Sequence, residues 1–256
     1  MKNKNIISIA KKKDVREIMK FIYSEWKKNH ILAINKKFFL YEYGNKNLIN
    51  FVVSKINNKI NGIQGFLKSS SDKNASLWAT MWCSSKKNVP PMLGISMLNY
   101  MRSLGYKSVM SNGINKSSEK IYKQLGFKVG SLNQYFIPNN NLDNYQIAKI
   151  PKKILKKKIV IKKDNKLTFK KIHLNDVYKK FDFSKYYLRL PFKDYNYFKK
   201  RFLKHPIYSY DVYGVFNKEK LISILVTRIN NHKKSTCLRI VDFYGEEHAL
   251  NTFTYN

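Results

Sequence analysis

A tyrosine that could act as a general acid lies in a short segment with the pattern of a helix. The segment is "NKSSEKIYKQLGF", residues 115–127, and the tyrosine is Tyr122. A phenol has a reference pKa of about 10, so it stays protonated at neutral pH and can give a proton to a leaving group. The alternative is a packing role, because an amphipathic tyrosine is also common where a helix meets a sheet.

The surrounding residues indicate how a helix would hold this tyrosine. Its start can be capped by Asn115 or Ser117. Ile121 and Leu125 are four residues apart and form the predicted buried face, and Gly126 suits the left-handed turn that ends a helix. Tyr122 flanks that face, so we expect its hydroxyl to point elsewhere.

A glycine loop before another predicted helix could bind phosphate. The loop is "PMLGIS", residues 91–96, and it follows a strand pattern that ends near Ser84. Backbone N–H groups at the start of a helix, at the positive end of its dipole, attract a diphosphate. A lone glycine before a helix is more often structural, so the order of the neighbouring elements has to support this site.

The first part of the chain alternates between helix and strand patterns. A helical pattern over residues 14–28, capped by Asp14, has an apolar stripe of Val15, Ile18, Met19, Ile22 and Trp26. Two strands, residues 50–56 and 60–69, are joined by an Asn-Asn-Lys turn, and a third strand spans residues 76–84. One face of the third strand carries Leu77, Ala79, Met81 and Cys83, and the other carries Trp78, Thr80 and Trp82.

The elements after the third strand complete this block. The helix that follows the glycine loop has one apolar stripe, formed by Met97, Leu98, Met101 and Leu104. Residues 107–114 are a fourth predicted strand, the tyrosine helix comes next, and "QYFIPN", residues 134–139, is a fifth strand. The alternation is typical of an α/β domain.

A second block repeats the beginning of this order. It follows residues 140–165, a Lys- and Asn-rich run that is more often a solvated linker than a binding tail. Its elements are a strand, a helix and three strands, predicted at residues 167–172, 174–181, 210–216, 221–229 and 235–245. We expect this block to be incomplete, because few residues follow its last strand.

The composition limits the classes of function. The chain has 256 residues, 43% of them hydrophobic, which is enough for a folded protein with a sizeable core. A net charge of +34 suggests nucleic acid, but only six of the 50 basic residues are Arg, whose planar fork is favoured for phosphate and base readout. We therefore interpret the lysine excess as a compositional bias and expect no nucleic acid partner.

The number of cysteines and the lengths of the apolar runs indicate the cellular compartment of the protein. Cys83 and Cys237 are far apart and match neither a disulfide framework nor a zinc site. The apolar run 6–10 is too short for a signal peptide, and no run approaches the roughly 20 residues of a membrane span. We expect a cytoplasmic protein with no metal and no membrane span.

The order of these elements resembles the GCN5-related N-acetyltransferase (GNAT) superfamily. In that family a strand, a diphosphate loop, a long helix and another strand precede a helix with the motif N-x6-Y-x3-G-F. Asn115, Tyr122 and "QLGF", residues 124–127, match the motif. The glycine loop is similar in part, because Gly94 matches and Ser96 stands where the family has Gly or Ala.

Further motifs narrow the resemblance. "FIYSEWKKNHIL" (21–32), "FLKHPIYSYDVYGV" (202–215) and "LRIVDFYG" (238–245) are similar to two-domain acetyltransferases encoded among surface-polysaccharide genes. The implied fold is α/β with an α+β mixed sheet. A GNAT-like catalytic domain would span residues 1–139, and a partial second one would span residues 166–256.

The resemblance implies an acetyl-CoA site and roles for its residues. The diphosphate would bind the loop backbone at Met92, Leu93, Gly94, Ile95 and Ser96. Asn115 would contact the pantetheine arm, and Tyr122 would protonate the departing thiolate. The oxyanion would be held by backbone N–H groups at Met81, Trp82 and Cys83.

Acetyl transfer also needs a base and a surface for the acceptor. The third strand lacks Asp and Glu, so the polar candidates upstream are Glu25, His30 and Glu42. His30 titrates near neutral pH but is alternatively a cap, and an ordered water chain is an alternative base. Aromatic faces stack on sugar rings, although core packing is the alternative for the candidates Trp26, Trp78 and Trp82.

These features predict an acyltransferase that moves an acetyl group from acetyl-CoA to the amine of an amino-sugar. The acceptor would be a nucleotide-linked small molecule in surface polysaccharide biosynthesis. The alternative acceptor is a protein or small-metabolite amine, and the alternative class is a non-catalytic binding or scaffold protein. The second block would hold no CoA of its own and would form an acceptor-side wall or a homodimer surface.

Overall fold

The chain forms two compact units, which a computed structural model describes over residues 5–87, 89–133, 135–139, 141–142, 145–151 and 167–252. Unit 1 comprises Met1–Ile114 and Tyr187–Tyr197, and unit 2 comprises Asn115–Tyr186 and Phe198–Asn256. Residues 152–166, which hold most of the predicted connection, lie outside the described residues. The domain boundaries at residues 139 and 166 stay predictions.

Unit 1 contains a mixed sheet. Its strands are β1 Ile6–Lys11, β2 Gly44–Asn45, β3 Leu48–Ile56, β4 Lys59–Lys68, β5 Ser76–Ser84 and β6 Ser108–Met110. Their order is β1-β3-β4-β5-β6, with β2 paired to β3. Pairing is antiparallel except between β5 and β6, which are parallel. The four strands predicted between residues 50 and 114 are confirmed, the last one over only three residues.

Helices cover both faces of this sheet. They are α1 Val15–Phe21, α2 Ile31–Ile34, α3 Lys36–Tyr43 and α4 Leu93–Arg102. A 3₁₀ turn, Lys12–Asp14, precedes α1, and a π-helical turn, Ile22–Trp26, continues it. The helix predicted over residues 14–28 is confirmed, but Trp26 is 48% exposed and lies outside the buried stripe.

Asp14 ties the start of α1 to the sheet instead of capping the helix. Its carboxylate accepts a hydrogen bond from the Lys11 N–H at 2.7 Å and pairs with the Lys55 ammonium of β3 at 2.6 Å. Burial would raise the pKa of Asp14, but the hydrogen bonds from Lys55 and Lys11 together lower it. The ionised carboxylate therefore links α1 to β3 at neutral pH.

Two apolar clusters lie on opposite faces of the sheet. The cluster against α1 and α3 includes Ile18, Ile22, Phe39, Phe51, Val53 and Ile63. The cluster under α4 includes Val52, Leu77, Ala79, Met97 and Met101. Because neighbours along β3 belong to different clusters, this strand is buried on both faces. The predicted apolar stripe of α4 is confirmed, since Met97, Leu98 and Met101 have no exposed surface.

A β-bulge interrupts β5. Gly65 pairs with Thr80 and Ile63 pairs with Cys83, so a single β4 residue lies opposite two residues of β5. Met81, inside the bulge, has a φ of 44°. A bulge of this kind bends its strand and re-aims the side chains that follow it.

The bulge changes which side chains share a face. Leu77 and Ala79 pack in the α4 cluster, whereas Met81 and Cys83 pack against the α1 and α3 cluster. The prediction that these four residues share one face is therefore wrong. Side chains alternate strictly between the two faces of a sheet only along a strand without a bulge. The extra residue of the bulge moves the side chains after it to the opposite face.

Unit 2 contains an antiparallel sheet and short helices. Its strands are β7 Leu167–Lys171, β8 Asp211–Asn217, β9 Lys220–His232 and β10 Ser235–Gly245, in the order β10-β9-β8-β7. Its helices are α5 Lys116–Gln124 and α6 Leu174–Lys180, and a further helix, α7 Tyr195–Phe198, ends in this unit. The elements predicted for the second block are confirmed. Like β5, β10 carries a bulge, between Ile240 and Asp242.

The fifth strand predicted for the first block is wrong. Residues 135–139 have no regular secondary structure, and Gln134 lies outside the described residues. The segment has high β-propensity, but Pro138 has no N–H to give to a ladder. A segment with high β-propensity forms a strand only when a neighbouring strand pairs with it.

Candidate functional site

The start of α4 resembles an anion-binding site, because it carries backbone N–H groups that have no backbone acceptor among the described residues. Met92 has a left-handed φ of 60° and precedes the buried first residue of the helix, Leu93. Ser96 donates its N–H to the Met92 carbonyl at 2.9 Å. Within the described part of the chain, the N–H groups of Gly94 and Ile95 have no backbone acceptor. They lie at the positive end of the helix dipole.

The Ser96 side chain turns back onto its own helix. Its hydroxyl donates to the Met92 carbonyl oxygen at 3.2 Å. A hydroxyl satisfied in this way does not compete for the N–H groups that precede it. The departure from the Gly or Ala of the resembled loop therefore leaves the donors at the helix start in place.

Gly94 lies directly against the indole of Trp82. A Cβ atom at Gly94 would be 2.8 Å from Cζ2 of Trp82 and 3.1 Å from Cε2 and Nε1. Trp82 follows Met81 in the bulge, so this contact holds the bulge of β5 against the start of α4. We call residues 81–83 and 92–96 the candidate site.

Replacing Gly94 by Ala should destabilise the protein by about 1–3 kcal/mol, the usual cost of overpacking. The methyl group would have to displace the Trp82 ring or the helix start. Urea unfolding followed by tryptophan fluorescence measures the change in the free energy of unfolding. The control is Gly130→Ala, because a Cβ at Gly130 would meet no atom within 4 Å. Equal effects of the two substitutions would contradict a tight contact at Gly94.

Gln64 is a buried polar residue beside the candidate site that the sequence analysis missed. It lies in β4 opposite the bulge and has no exposed surface. Among the described residues, neither its amide nitrogen nor its amide oxygen has a hydrogen-bond partner. It pairs with Val52 of the α4 cluster, so its side chain points to the face of the sheet that carries α4. A buried amide without partners is costly, because no hydrogen bond offsets its loss of water.

We expect Gln64→Met to raise the free energy of unfolding by about 1–3 kcal/mol, because it removes a buried amide that lacks partners and keeps the side-chain volume. Urea unfolding of the variant and the parent measures the change in the free energy of unfolding. A variant that is less stable than the parent when free would show that the Gln64 amide is already satisfied.

Glu25 contacts β5 just beyond the bulge. Its carboxylate Oε2 accepts a hydrogen bond from the Lys86 N–H at 3.1 Å, and its carbonyl accepts one from the Cys83 thiol at 3.8 Å. Burial, and then the Glu25 carboxylate, raise the pKa of the Cys83 thiol. Cys83 therefore stays protonated and is a poor nucleophile at neutral pH. The structure places Glu25 next to the candidate site.

His30 caps a helix. Its Nδ1 accepts a hydrogen bond from the Leu32 N–H at 3.2 Å at the start of α2. Burial, and then the charge of Lys27, lower the pKa of His30, so the ring is neutral at pH 7. In a neutral ring whose Nδ1 accepts, Nε2 carries the proton, so His30 could act as a base only by giving up the cap. Its catalytic role stays a prediction.

The three tryptophans do not form one surface. Trp26 is exposed on the π-helical turn, and the buried Nε1 of Trp78 has no hydrogen-bond partner among the described residues. Thr80 bonds to the Tyr43 hydroxyl of α3 at 3.0 Å, whereas Trp82 contacts α4. The prediction that Trp78, Thr80 and Trp82 share a face is wrong, again because of the bulge.

In unit 2, α5 holds the predicted general acid. The cap is Asn115, whose Oδ1 accepts the Ser118 N–H at 2.8 Å, and Gly126 has the predicted left-handed φ, of 78°. Tyr122 is 5% exposed, and its ring lies edge-on to Phe127 with 5.0 Å between centroids. No residue of α5 other than Tyr122 is fully buried.

The prediction that Tyr122 only flanks the buried face is therefore wrong. Ile121 and Leu125, the predicted core positions, are each half-buried. The helix has turned so that its tyrosine, rather than its aliphatic pair, faces inward. Within the described part of the chain, no group of three His, Cys, Asp or Glu residues could hold a metal ion, and no helix has the length and apolarity of a membrane span.

Comparisons with known proteins identify the fold. No protein-family model and no curated protein matches the chain. The GCN5-related N-acetyltransferase from Anabaena variabilis matches with a TM-score of 0.60 at 11% identity, over 98% of this chain and 61% of that one. The chain thus has the GCN5-related N-acetyltransferase fold and spans about three fifths of that protein, and the predicted fold class is confirmed.

Other solved structures match about half of the chain. A possible acetyltransferase from Clostridium difficile has a TM-score of 0.41 at 19% identity, over 52% of this chain and 97% of its own. The ribosomal-protein-alanine N-acetyltransferase from Brucella melitensis has a TM-score of 0.40 at 9% identity, over 52% of this chain and 98% of its own.

Proposed function

We propose that this chain, which has the GCN5-related N-acetyltransferase fold, is an acetyl-CoA-dependent N-acetyltransferase. The observation that carries the proposal is the contact between Trp82 and Gly94, which holds the bulge of β5 against the start of α4. The helix start supplies donors for a diphosphate, and a bulged strand beside it suits a thioester. The cofactor would be acetyl-CoA, without a metal.

Each part of acetyl-CoA has an assigned partner. The diphosphate would bind the backbone of loop residues Met92, Leu93, Gly94, Ile95 and Ser96. Asn115 would contact the pantetheine arm. The oxyanion would be stabilised by the backbone at Met81, Trp82 and Cys83, because preorganised donors act most strongly where charge develops.

Two protons must move during the reaction. We assign the base to Glu25, which would accept a proton from the amine directly or through one water molecule. We assign the acid to Tyr122, which would protonate the thiolate as it leaves.

The acceptor in this proposal is a nucleotide-linked amino-sugar used in surface polysaccharide biosynthesis in the cytoplasm. The exposed indole of Trp26, next to Glu25 in sequence, supports it, because aromatic faces stack on sugar rings. A protein or small-metabolite amine would use the same chemistry without that stacking. A homodimer built on unit 2 stays a prediction.

Calorimetry with CoA and with pantetheine, which lacks the diphosphate, tests the cofactor assignment. We expect CoA to bind at least about tenfold more tightly, because charge-assisted hydrogen bonds to the helix start each contribute about 1.5–3 kcal/mol. Acetyl transfer to glucosamine is then followed by thiol release. Equal affinity for CoA and pantetheine, together with no thiol release, would refute the proposal.

A further inference from the structure

A two-stranded ribbon extends past the four-stranded part of the sheet in unit 2. β9 pairs with β10 from Ser223 to His232 but with β8 only from Lys220 to Thr227, and β10 is the outer strand. In the part of the chain that the structure describes, residues 228–240 therefore pair only with each other and with Thr227. We call residues 228–240 the ribbon. An isolated pair of strands is at best marginally stable in water, so we expect its faces to make further contacts.

One face of the ribbon carries exposed aliphatic side chains. Ile229 of β9 lies opposite Leu238 of β10, and Ile240 follows Leu238 by two residues, so the three side chains share a face. Ile229 is 53% exposed, Leu238 is 61% exposed and Ile240 is 59% exposed. We call these three residues the aliphatic stripe. A single exposed aliphatic residue needs no explanation, but a contiguous set indicates an interaction site.

The opposite face of the ribbon carries two arginines. Arg228 and Arg239 lie directly opposite each other in the ladder. Like charges in this position destabilise a strand pair, and among the described residues neither arginine has an ion-pair partner. The Arg228 guanidinium lies over the ring of Tyr208, 3.9 Å from its centroid, which positions the group but leaves its charge. An anion bound beside the two arginines would offset their repulsion.

The arginines distinguish the ribbon from the lysine-rich surface elsewhere. Only six of the 50 basic residues are Arg, and two of the six oppose each other here. The turn of the ribbon adds Lys233 and Lys234, both exposed, and residues 228–240 contain no Asp or Glu. Long cationic side chains can reach past the edge of a strand pair while their stems cover apolar surface. The ribbon is therefore amphipathic, and all of its fixed charge is positive.

An anionic bilayer surface fits both faces of the ribbon. Its headgroups attract the cations, and the boundary between headgroups and acyl chains accepts the aliphatic side chains of an amphipathic segment. A second copy of the chain would bring the cations of two ribbons together, with no carboxylate in either ribbon to pair with them. Nucleic acid would attract the cations but would leave the aliphatic stripe in water. The combination of charge and apolar surface therefore favours lipid.

We propose that the ribbon binds the surface of an anionic lipid bilayer. The aliphatic stripe enters the boundary between headgroups and acyl chains, and Arg228, Arg239 and the turn lysines contact the anionic headgroups. The ribbon lies on the bilayer and does not cross it. Binding depends on unit 2 alone, so it is independent of the proposed acetyl transfer. An enzyme bound in this way works at a membrane surface instead of in bulk solution.

Sedimentation with vesicles tests the aliphatic stripe. The full chain is mixed with vesicles of phosphatidylcholine and phosphatidylserine in a two-to-one ratio, or of phosphatidylcholine alone. Threonine is polar and favours strands, so the stripe variant is Ile229→Thr, Leu238→Thr and Ile240→Thr. The matched control removes the same side-chain types from exposed positions of unit 1, with Ile6→Thr, Ile34→Thr and Leu48→Thr. We expect the stripe variant to bind the mixed vesicles at least about tenfold more weakly than the control.

The arginines are tested with the variant Arg228→Gln and Arg239→Gln, against the control Arg16→Gln and Arg102→Gln. The parent should bind the mixed vesicles at least about tenfold more tightly than phosphatidylcholine vesicles. The arginine variant should lose most of this preference, and its control should keep it. The stripe and arginine variants change opposite faces of the ribbon, so each tests the proposal if the other fails to fold.

Equal vesicle binding by the stripe variant and its control would overturn the proposal, as would equal binding of the parent to both kinds of vesicle. A dimer without vesicle binding, which sedimentation velocity detects and only the stripe variant loses, would refute lipid binding and assign the ribbon to a second copy. Binding of duplex DNA in place of mixed vesicles, lost in the arginine variant, would refute it in favour of nucleic acid. Vesicle binding that both ribbon variants lose, in a chain without acetyl transfer, would support the ribbon and refute only the proposed function.

Discussion

Tyr122→Phe should lower the turnover of acetyl transfer by roughly 10²- to 10⁴-fold, the usual contribution of a positioned general acid. The substitution removes only the hydroxyl, and the ring keeps its edge-on contact with Phe127. Acetyl-CoA binding should change little, because sulfur charge develops only in the transition state. Steady-state kinetics by thiol release gives kcat, and calorimetry gives the dissociation constant.

The matched control for this experiment is Tyr135→Phe. Tyr135 is 88% exposed and has no proposed role, so loss of its hydroxyl should leave kcat unaffected. A Tyr122→Phe enzyme whose kcat stays within a few-fold of the parent would make Tyr122 a packing residue. Equal losses in kcat and in acetyl-CoA affinity would instead give the hydroxyl a role in binding.

Glu25→Gln should also lower kcat by roughly 10²- to 10⁴-fold, because the amide removes the basic carboxylate. The isosteric side chain keeps an oxygen that can accept the Lys86 N–H, so the turn beside β5 should stay folded. Steady-state kinetics by thiol release measures kcat of the variant and of the parent. A kcat that stays within a few-fold of the parent would make water or another group the base.

His30→Asn separates the two roles considered for His30. Asparagine is a strong helix cap but cannot act as a base. If His30 is only a cap, kcat should therefore be unchanged in the variant, and if His30 is the base, kcat should fall strongly. Burial and Lys27 lower the pKa of His30 in the folded state, so the unfolded state binds the proton more readily. The stability that neutral His30 gives is present above pH about 6.5 and is lost as the pH falls below it. Urea unfolding of the Asn variant should therefore show a smaller loss of stability on acidification.

The strands of unit 1 could be predicted because their signals are local. β3 and β4 are apolar runs separated by Asn57 and Asn58, which take φ angles of 50° and 62°. Asparagine tolerates this left-handed conformation better than most residues, so the turn chemistry and the strand patterns agree. The same agreement holds for α4, whose stripe faces a buried cluster.

The bulge of β5 could not be predicted from local sequence signals, and neither could the sides of the sheet to which the residues after it point. Nothing in the local sequence marks Met81 for a positive φ, since the extra residue is fixed by pairing with β4. A signal was present in the partner strand, where Gly62 and Gly65 flank Gln64. A glycine inside a strand often marks a close approach, and a Cβ at Gly65 would be 2.6 Å from Thr80 Oγ1. These glycines would have indicated close packing against β5 and α4, but not the extra residue in β5.

Burial of Tyr122 likewise depends on tertiary packing. The spacing of Ile121 and Leu125 predicted the helix correctly but predicted the wrong buried face. A nine-residue helix can rotate about its axis at little cost to its own hydrogen bonds, so the surrounding core decides which side chain turns inward. Resemblance to a motif identified the tyrosine, and its burial is a property of the folded chain.

The bulges of β5 and β10 lie in corresponding strands of two sheets that share one pairing order. In the order β1-β3-β4-β5 and in the order β7-β8-β9-β10, neighbouring strands are antiparallel, and the fourth strand carries a bulge. A bulge bends its strand and re-aims the side chains that follow it. In unit 1 the re-aimed residue is Trp82, so one extra residue in β5 brings an indole against Gly94 at the start of α4.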